Sequence, residues 1–221
     1  MKRVLAIALL SALFTVSVSH AKEAPPAPGQ AANFSVPETV DFTLDNGLNV
    51  TLVPYGSTPK ATIRLISKVG NAHDTVPGIA DIAYDLFAED GTHPATQGSA
   101  GKAASMGGEI NTTVTMSYSY INLNVLSEHT PSAVEMLSQL VLNYLPEQVA
   151  LERVSAGFIR NVSIQKSSPG GQATETFNNA MFGDHPYGQA FPTEQDMDNI
   201  TVEAVSNFVG SHLVAANSYL Y

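Results

Sequence analysis

The stretch GIADIAYDLFAEDGT, residues 78 to 92, holds the residues whose type and spacing could do chemistry. Asp81 and Asp85 are four apart, so a helix would place both carboxylates on one face. The apolar period of the same stretch is helical, and Tyr84 and Glu89 flank the pair. The pair could bind a hard cation. It could also be a solvated acidic face, with Asp81 favoured by the helix N-terminus. We favour the acidic face, because two carboxylates from one helix make a poor metal cage.

Other catalytic patterns are weak. The six histidines are at 20, 73, 93, 129, 185 and 212, and no two are four apart, so no helical His pair can clamp a metal. The absence of cysteine excludes disulfides, thiolate metal sites and cysteine nucleophiles. No Gly-x-Ser-x-Gly elbow occurs, although a dispersed Ser-His-Asp triad stays possible.

Composition limits the partners. The chain has 221 residues, 44% of them apolar, which is enough for a sizeable core. Its formal net charge is −10. This charge disfavours nucleic acid and anionic membrane surfaces, which need clustered Lys and Arg. It could favour basic peptides, but we interpret it first as a device for solubility.

The N-terminal residues 1–21 have the pattern of a secretory signal peptide. Lys2 and Arg3 precede an apolar stretch, and Ser19-His20-Ala21 forms a small-residue cleavage site. The stretch is short for a transmembrane anchor and no basic stop follows it. We therefore predict cleavage after Ala21, a periplasmic location and no membrane insertion after cleavage. Residues 22–35 are rich in Pro and Ala and are predicted to be a linker.

The remaining chain predicts a two-layer α+β domain, with helices packed on one face of a mostly antiparallel or mixed sheet. The expected order is three strands, two helices, two strands, four helices and one strand. The first two strands flank Asp45-Asn46-Gly47, which favours a hairpin with a type I′ turn. Because the last predicted strand, from Ala216, runs to the final residue, we expect the chain to be a fragment of a longer protein.

Several segments in one order resemble the pitrilysin/insulinase family of zinc metallopeptidases, in its processing-peptidase-like bacterial branch. The segments are LDNGLNVTLVP, ISKVGNAHDTVPGIAD, LNVLSEHTPSAVEMLSQLVLNYLPEQVALERV, MFGDHPYGQAFPTEQDMDNIT and HLVAANSYLY. The resemblance spans residues 36–221. It implies that these residues form the N-terminal domain of a chain in which a second homologous domain follows.

The resemblance also implies where a zinc site would be. Active members carry His-x-x-Glu-His on the helix of residues 78–92, with a further Glu ligand on a later helix. In this chain Asp81 takes the first His position, Tyr84 the general base and Asp85 the second His. Asn161 takes the third ligand position, with Arg160 the alternative. All of these positions depart from the family pattern, so we expect no bound zinc and no other cofactor.

The resemblance implies a non-catalytic partner subunit. It would pair with a zinc-bearing peptidase subunit of the same family and complete a chamber that admits peptides or unfolded polypeptides. Two alternatives are kept: a stand-alone peptide-binding scaffold, and a metallopeptidase that uses Asp81 and Asp85 as unorthodox ligands.

Overall fold

The computed structural model describes residues 29, 35–56, 58–89 and 98–221. The predicted signal peptide, nearly all of the predicted linker and His93 lie outside these residues. Residues from Pro37 to Tyr221 form one compact unit. No helix within the described residues is long and apolar enough to cross a lipid bilayer.

The unit is built on one six-stranded mixed sheet. The strands are β1 (Val40–Thr43), β2 (Asn49–Leu52), β3 (Lys60–Ser67), β4 (Glu109–Val114), β5 (Ser119–Leu126) and β6 (Ser218–Leu220). Their order across the sheet is β1-β2-β6-β3-β5-β4. Neighbours are antiparallel except β2 and β6, which are parallel. The last strand thus lies between the first hairpin and β3.

The first hairpin is present, but the predicted type I′ turn is wrong. That turn needs a positive φ at both central residues. Here Gly47 alone in the loop has one, at 88°. The Gly47 N–H donates to the Leu44 carbonyl at 2.8 Å, and the Leu44 N–H donates to the Leu48 carbonyl at 2.9 Å. The loop is therefore a three-residue connection with a bulge at its glycine.

The described residues contain seven α-helices: α1 (Ile79–Ala88), α2 (Ser99–Ser105), α3 (Thr130–Leu142), α4 (Gln148–Ser167), α5 (Pro169–Phe182), α6 (Glu194–Asp198) and α7 (Val202–His212). Five of them follow β5, whereas the sequence predicted four. The additional helix, α6, has five residues and begins at a capping box between Thr193 and Asp196. So short a helix has no apolar period to reveal it.

The core lies between the helices and one face of the sheet. Ile63 and Leu65 of β3 and Ile121 and Leu123 of β5 alternate onto that face and are buried. They pack with the buried side of α1 in a single apolar cluster. The predicted two-layer α+β class is confirmed, and α1 is held where the layers meet.

Leu123→Ala tests this account of the core. The Leu123 side chain is fully buried in β5, so its truncation leaves a cavity and should lower the free energy of unfolding by about 2–5 kcal/mol. Leu142→Ala is the matched control, since Leu142 is 81% exposed and should change stability by less than about 0.5 kcal/mol. Urea denaturation measures both. Equal losses would contradict the layer assignment.

Candidate functional site

The loop before α1 is fixed to the turn between β4 and β5. Asn71 and Ala72 donate their N–H groups to the carbonyls of Thr115 and Met116 at 3.0 and 2.9 Å. Gly70 passes so close that an added Cβ would lie 2.0 Å from the Thr115 carbonyl oxygen. Glycine at this position allows the close approach, and the loop is held where it can direct side chains at α1.

Asp74 caps the helix. Its carboxylate accepts the Gly78 N–H at 2.8 Å and the Ala80 N–H at 3.1 Å, two of the groups that a helix N-terminus leaves unpaired. Gly78 itself takes a left-handed conformation, with φ of 90°. Burial raises the pKa of Asp74 to about 6, although the two backbone hydrogen bonds oppose the shift.

Asp81, the first His position of the motif, is half-buried in the first turn of α1. Its carboxylate accepts a hydrogen bond from the Asn71 side-chain amide at 2.5 Å. Burial raises the pKa of Asp81 to about 7, with the charges of Asp74 and Asp85 adding to the rise and Asn71 opposing it. Asp81 is thus tied to the preceding loop and carries a proton over part of the neutral range.

Tyr84, at the general-base position, belongs to the core. It is 1% exposed, and its hydroxyl forms a hydrogen bond with the hydroxyl of Ser67 at the end of β3. The ring also packs edge-on against Phe87, with centroids 5.8 Å apart. Burial raises the pKa of Tyr84 to about 12, with the Ser67 hydrogen bond opposing. A phenol that holds its proton so tightly cannot act as a general base at neutral pH.

Asp85, at the second His position, is directed to β4. Its carboxylate accepts a hydrogen bond from the Thr112 hydroxyl at 3.4 Å. The residue as a whole is exposed, yet burial of its carboxyl raises the pKa, with Glu89 adding and Thr112 opposing. Glu89 forms an ion pair with Arg153 of α4 at 2.5 Å. The prediction of a solvated acidic face fits Asp85 and Glu89 better than it fits Asp81, which is hydrogen-bonded to the preceding loop.

A cleft of about 700 Å³ opens beside the start of α1. Asp81 and Asn161, two of the four motif positions, both line it, whereas Tyr84, Asp85 and Arg160 do not. Other side chains that line it come from the loop before α1, from α4 and from the segment after α5: Asn71, Asp74, Phe158, Gln165, His185 and Phe191. The structure therefore brings Asp81 together with Asn161 and separates both from Tyr84.

This donor set does not fit zinc. Zinc sites in proteins are built from imidazole, thiolate or carboxylate groups in a tetrahedral arrangement. Within residues 29, 35–56, 58–89 and 98–221, no group of three or more His, Cys, Asp or Glu side chains is placed to hold a metal ion. Asp81 and Asp85 are each hydrogen-bonded to a different element, and Asn161 offers only a neutral amide.

Sequence reasoning missed Asn71, Asp74 and His185 as residues of the cleft. The first two lie shortly before α1 in the sequence. An Asp four residues before the Gly that precedes a helix is a weak capping signal that could have found Asp74. His185 comes to the cleft from more than a hundred residues away in sequence, so no local pattern predicts it.

Comparison with known proteins gives one family and a set of similar folds. The family model for insulinase, peptidase family M16, matches residues 50–192. No curated protein sequence matches the chain. A protease structure from Helicobacter pylori is similar with a TM-score of 0.77 and 18% identity, over 84% of this chain and 46% of that one. A structure described as the inactive domain of an M16 peptidase from Pseudomonas fluorescens gives a TM-score of 0.75 and 20% identity, over 83% and 45%. The chain therefore spans less than half the length of these two.

Tyr84→Phe and Tyr84→Glu test whether Tyr84 is structural. Removing the hydroxyl leaves Ser67 without its close partner and should lower the free energy of unfolding by about 1 kcal/mol. Tyr84→Glu, which restores the residue of the zinc motif, should cost more, because it buries a carboxyl without a matched partner. Tyr55→Phe is the control, since Tyr55 is 77% exposed. Chemical denaturation measures all three, and a fully stable Tyr84→Glu variant would contradict the core assignment.

The raised pKa values of Asp74 and Asp81 predict a pH dependence of stability. The folded state keeps protons that the unfolded chain, with an Asp pKa of about 3.9, releases. The free energy of unfolding should therefore fall as pH rises from about 4 to the folded pKa values of about 6 and about 7. Asp81→Asn removes the contribution of Asp81 to this pH dependence. The free energy of unfolding of the variant, relative to that of the unmodified protein, should therefore increase between about pH 5 and about pH 8. Asp198→Asn, an exposed change of the same kind, should show no such trend in urea denaturation. Identical pH profiles for both variants would refute the prediction.

Proposed function

Because the chain belongs to the insulinase family, peptidase family M16, we propose that it is a non-catalytic subunit that pairs with a zinc-bearing peptidase of the same family. In this proposal the partner supplies the metal and the general base. This chain supplies one wall of the chamber in which a peptide or unfolded polypeptide is held.

The placement of Tyr84 carries the proposal. A working zinc peptidase needs a base beside the metal-bound water. Here the side chain at that position is in the core with its hydroxyl bonded to Ser67, and its pKa is raised to about 12. Replacement of the two His positions by Asp81 and Asp85 supports the same conclusion, because these carboxylates are hydrogen-bonded to Asn71 and Thr112. We therefore expect no zinc and no other cofactor in this chain.

The cleft beside α1 supports a role in holding peptide. Side-chain amides at Asn71, Asn161 and Gln165 offer both donors and acceptors, which suit a peptide backbone. Phe158 and Phe191 add apolar surface for a substrate side chain. These are binding groups and not reacting groups, as expected of a subunit that positions substrate for its partner.

The location is part of the proposal and is supported by sequence alone. Residues 1–21 have a basic start, an apolar stretch and a small-residue end, the pattern of a signal for export. We propose that the mature protein is periplasmic and meets both its partner and its substrate there.

A reconstitution experiment tests the proposal. The purified chain alone should not hydrolyse an unfolded polypeptide, because its described residues form no cluster that could hold a metal ion and Tyr84 cannot act as the general base. Mixed with a relative from the same organism whose His-x-x-Glu-His helix is intact, it should raise that relative's rate of hydrolysis. Replacement of the motif Glu by Gln in the relative should abolish the activity of the mixture, since the partner supplies the chemistry.

Asp85→Ala in this chain provides the discriminating control. Under the proposal, the variant stimulates the zinc-bearing relative as well as the unmodified chain does. Hydrolysis by this chain alone that is lost in Asp85→Ala would overturn the proposal and make the acidic helix a working metal site. No stimulation of any zinc-bearing relative would refute the subunit role.

A further inference from the structure

The face of the sheet opposite the helices carries a line of cations. Lys60, Arg64 and Lys68 follow one another at four-residue intervals along β3 and just beyond it, on the face away from the buried Ile63 and Leu65. These three are a large share of the ten Lys and Arg residues in a chain of net charge −10. We call this surface, with its neighbours from β5 and β6, the open face.

Arg64 is held in a fixed orientation at the centre of the open face. Its Nε donates to the side-chain oxygen of Asn122 at 3.1 Å, and Asn122 is only 4% exposed. The guanidinium carbon lies 4.6 Å from the centroid of the Tyr120 ring, a cation–π contact. Tyr118 stacks behind Tyr120 with centroids 6.5 Å apart. The guanidinium is therefore positioned before any ligand arrives, and its terminal N–H groups suit a carboxylate.

Lys68, four residues after Arg64, is also held against an aromatic ring. Its Nζ donates to the hydroxyl of Tyr219 at 2.7 Å and also lies 4.6 Å from the centroid of that ring. Among the described residues, neither Lys68 nor Arg64 has a carboxylate within ion-pair distance. Two oriented cations thus face outward with aromatic and amide neighbours.

The spacing of Arg64 and Lys68 indicates which kind of partner fits the open face. Four residues along a strand span about 13 Å, and side chains four apart in an extended chain share one face. A polypeptide lying along β3 would therefore place acidic side chains at positions i and i+4 opposite Arg64 and Lys68. The partly exposed side-chain amide of Asn124, on the same face, adds N–H donors for its backbone, while its oxygen accepts from the Thr62 hydroxyl.

Dense polyanions fit this face less well. Asp41 and Glu109 lie on the same face, in the two edge strands of the sheet, as the register of the strands shows. The cationic region is therefore short and bounded by negative charge, in a chain whose net charge already repels nucleic acid and anionic lipid. Two separate carboxylates on a polypeptide along β3 can each contact Arg64 or Lys68 without lying near Asp41 or Glu109.

We infer that the open face binds an extended acidic segment of polypeptide, with carboxylates four residues apart held by Arg64 and Lys68. This inference goes beyond the proposed function, because it assigns a second polypeptide-binding surface on the side of the sheet opposite α1 and its cleft. The face is separate from the cleft beside α1, so the two surfaces can be altered independently.

Fluorescence anisotropy with labelled peptides tests the inference on the purified protein. The probe peptide carries Glu at i and i+4 in a β-favouring background. One control replaces both Glu by Gln, and another moves the second Glu to i+3, which an extended chain turns to its other side. The first peptide should bind most tightly, and its affinity should fall as salt is added.

Arg64→Gln and Lys68→Gln remove the charges while keeping amide groups that can still hydrogen-bond to Asn122 and Tyr219. The double variant should weaken binding of the acidic peptide roughly tenfold, a loss of about 1.4 kcal/mol. Lys102→Gln, an exposed change of the same charge on α2, should leave binding unchanged. Lys68 is exposed, so its single variant reports on binding even if Arg64→Gln disturbs the fold.

Three results would overturn the inference: equal binding of the Glu and Gln peptides, no effect of the double variant, or tighter binding of phosphatidylserine vesicles than of the acidic peptide through the same residues. If stimulation of a zinc-bearing relative persists without acidic-peptide binding, the inference fails alone. If acidic-peptide binding persists without stimulation, the proposed function fails alone.

Discussion

The burial of α1 between the two layers is the constraint on which the rest of the structure depends. Seven of its ten residues are buried, including Tyr84, whose hydroxyl is bonded to Ser67 beneath the sheet. Because an unpaired buried hydroxyl is costly, this hydrogen bond fixes the rotation of the helix relative to β3. With that rotation set, Asp81 faces the loop and cleft, whereas Asp85 faces β4. The orientation of the helix is thus set by Tyr84, a residue of the core.

Hydrogen bonds and aromatic packing hold the surroundings of α1 in place. Asp74 satisfies N–H groups at the helix start, and Asn71 ties Asp81 to the same loop. These hydrogen bonds hold the first turn of the helix to the loop that precedes it. The aromatic packing continues from Tyr84 through Phe87 to Tyr144, whose hydroxyl donates to the Ala83 carbonyl at 3.0 Å. The proposed polypeptide-binding surfaces are the polar groups that face the cleft and the oriented cations on the opposite face of the sheet.

Patterns within short stretches of the sequence predicted those parts of the fold that depend on neighbouring residues. Alternation and helical period located the strands and the long helices, and the resemblance placed them in one family. The turn type at Asn46-Gly47 was wrong because the same dipeptide suits both a type I′ turn and a glycine bulge. The position of β6 between β2 and β3 depends on pairing between residues more than 150 apart, which no local pattern contains. The site was predicted as a set of positions, but its geometry was not. Nothing in Tyr84 alone shows that its ring turns inward, and nothing near Asp81 predicts His185 across the cleft.

Anomalous diffraction at the zinc edge, from crystals of the protein grown with zinc, tests the central claim most directly. We predict no anomalous peak within bonding distance of Asp81, Asp85 or Asn161, and a Tyr84 side chain that keeps its hydrogen bond with Ser67. A peak bonded to Asp81 and Asp85, with Tyr84 turned out of the core toward it, would contradict the claim that this helix has lost its chemistry.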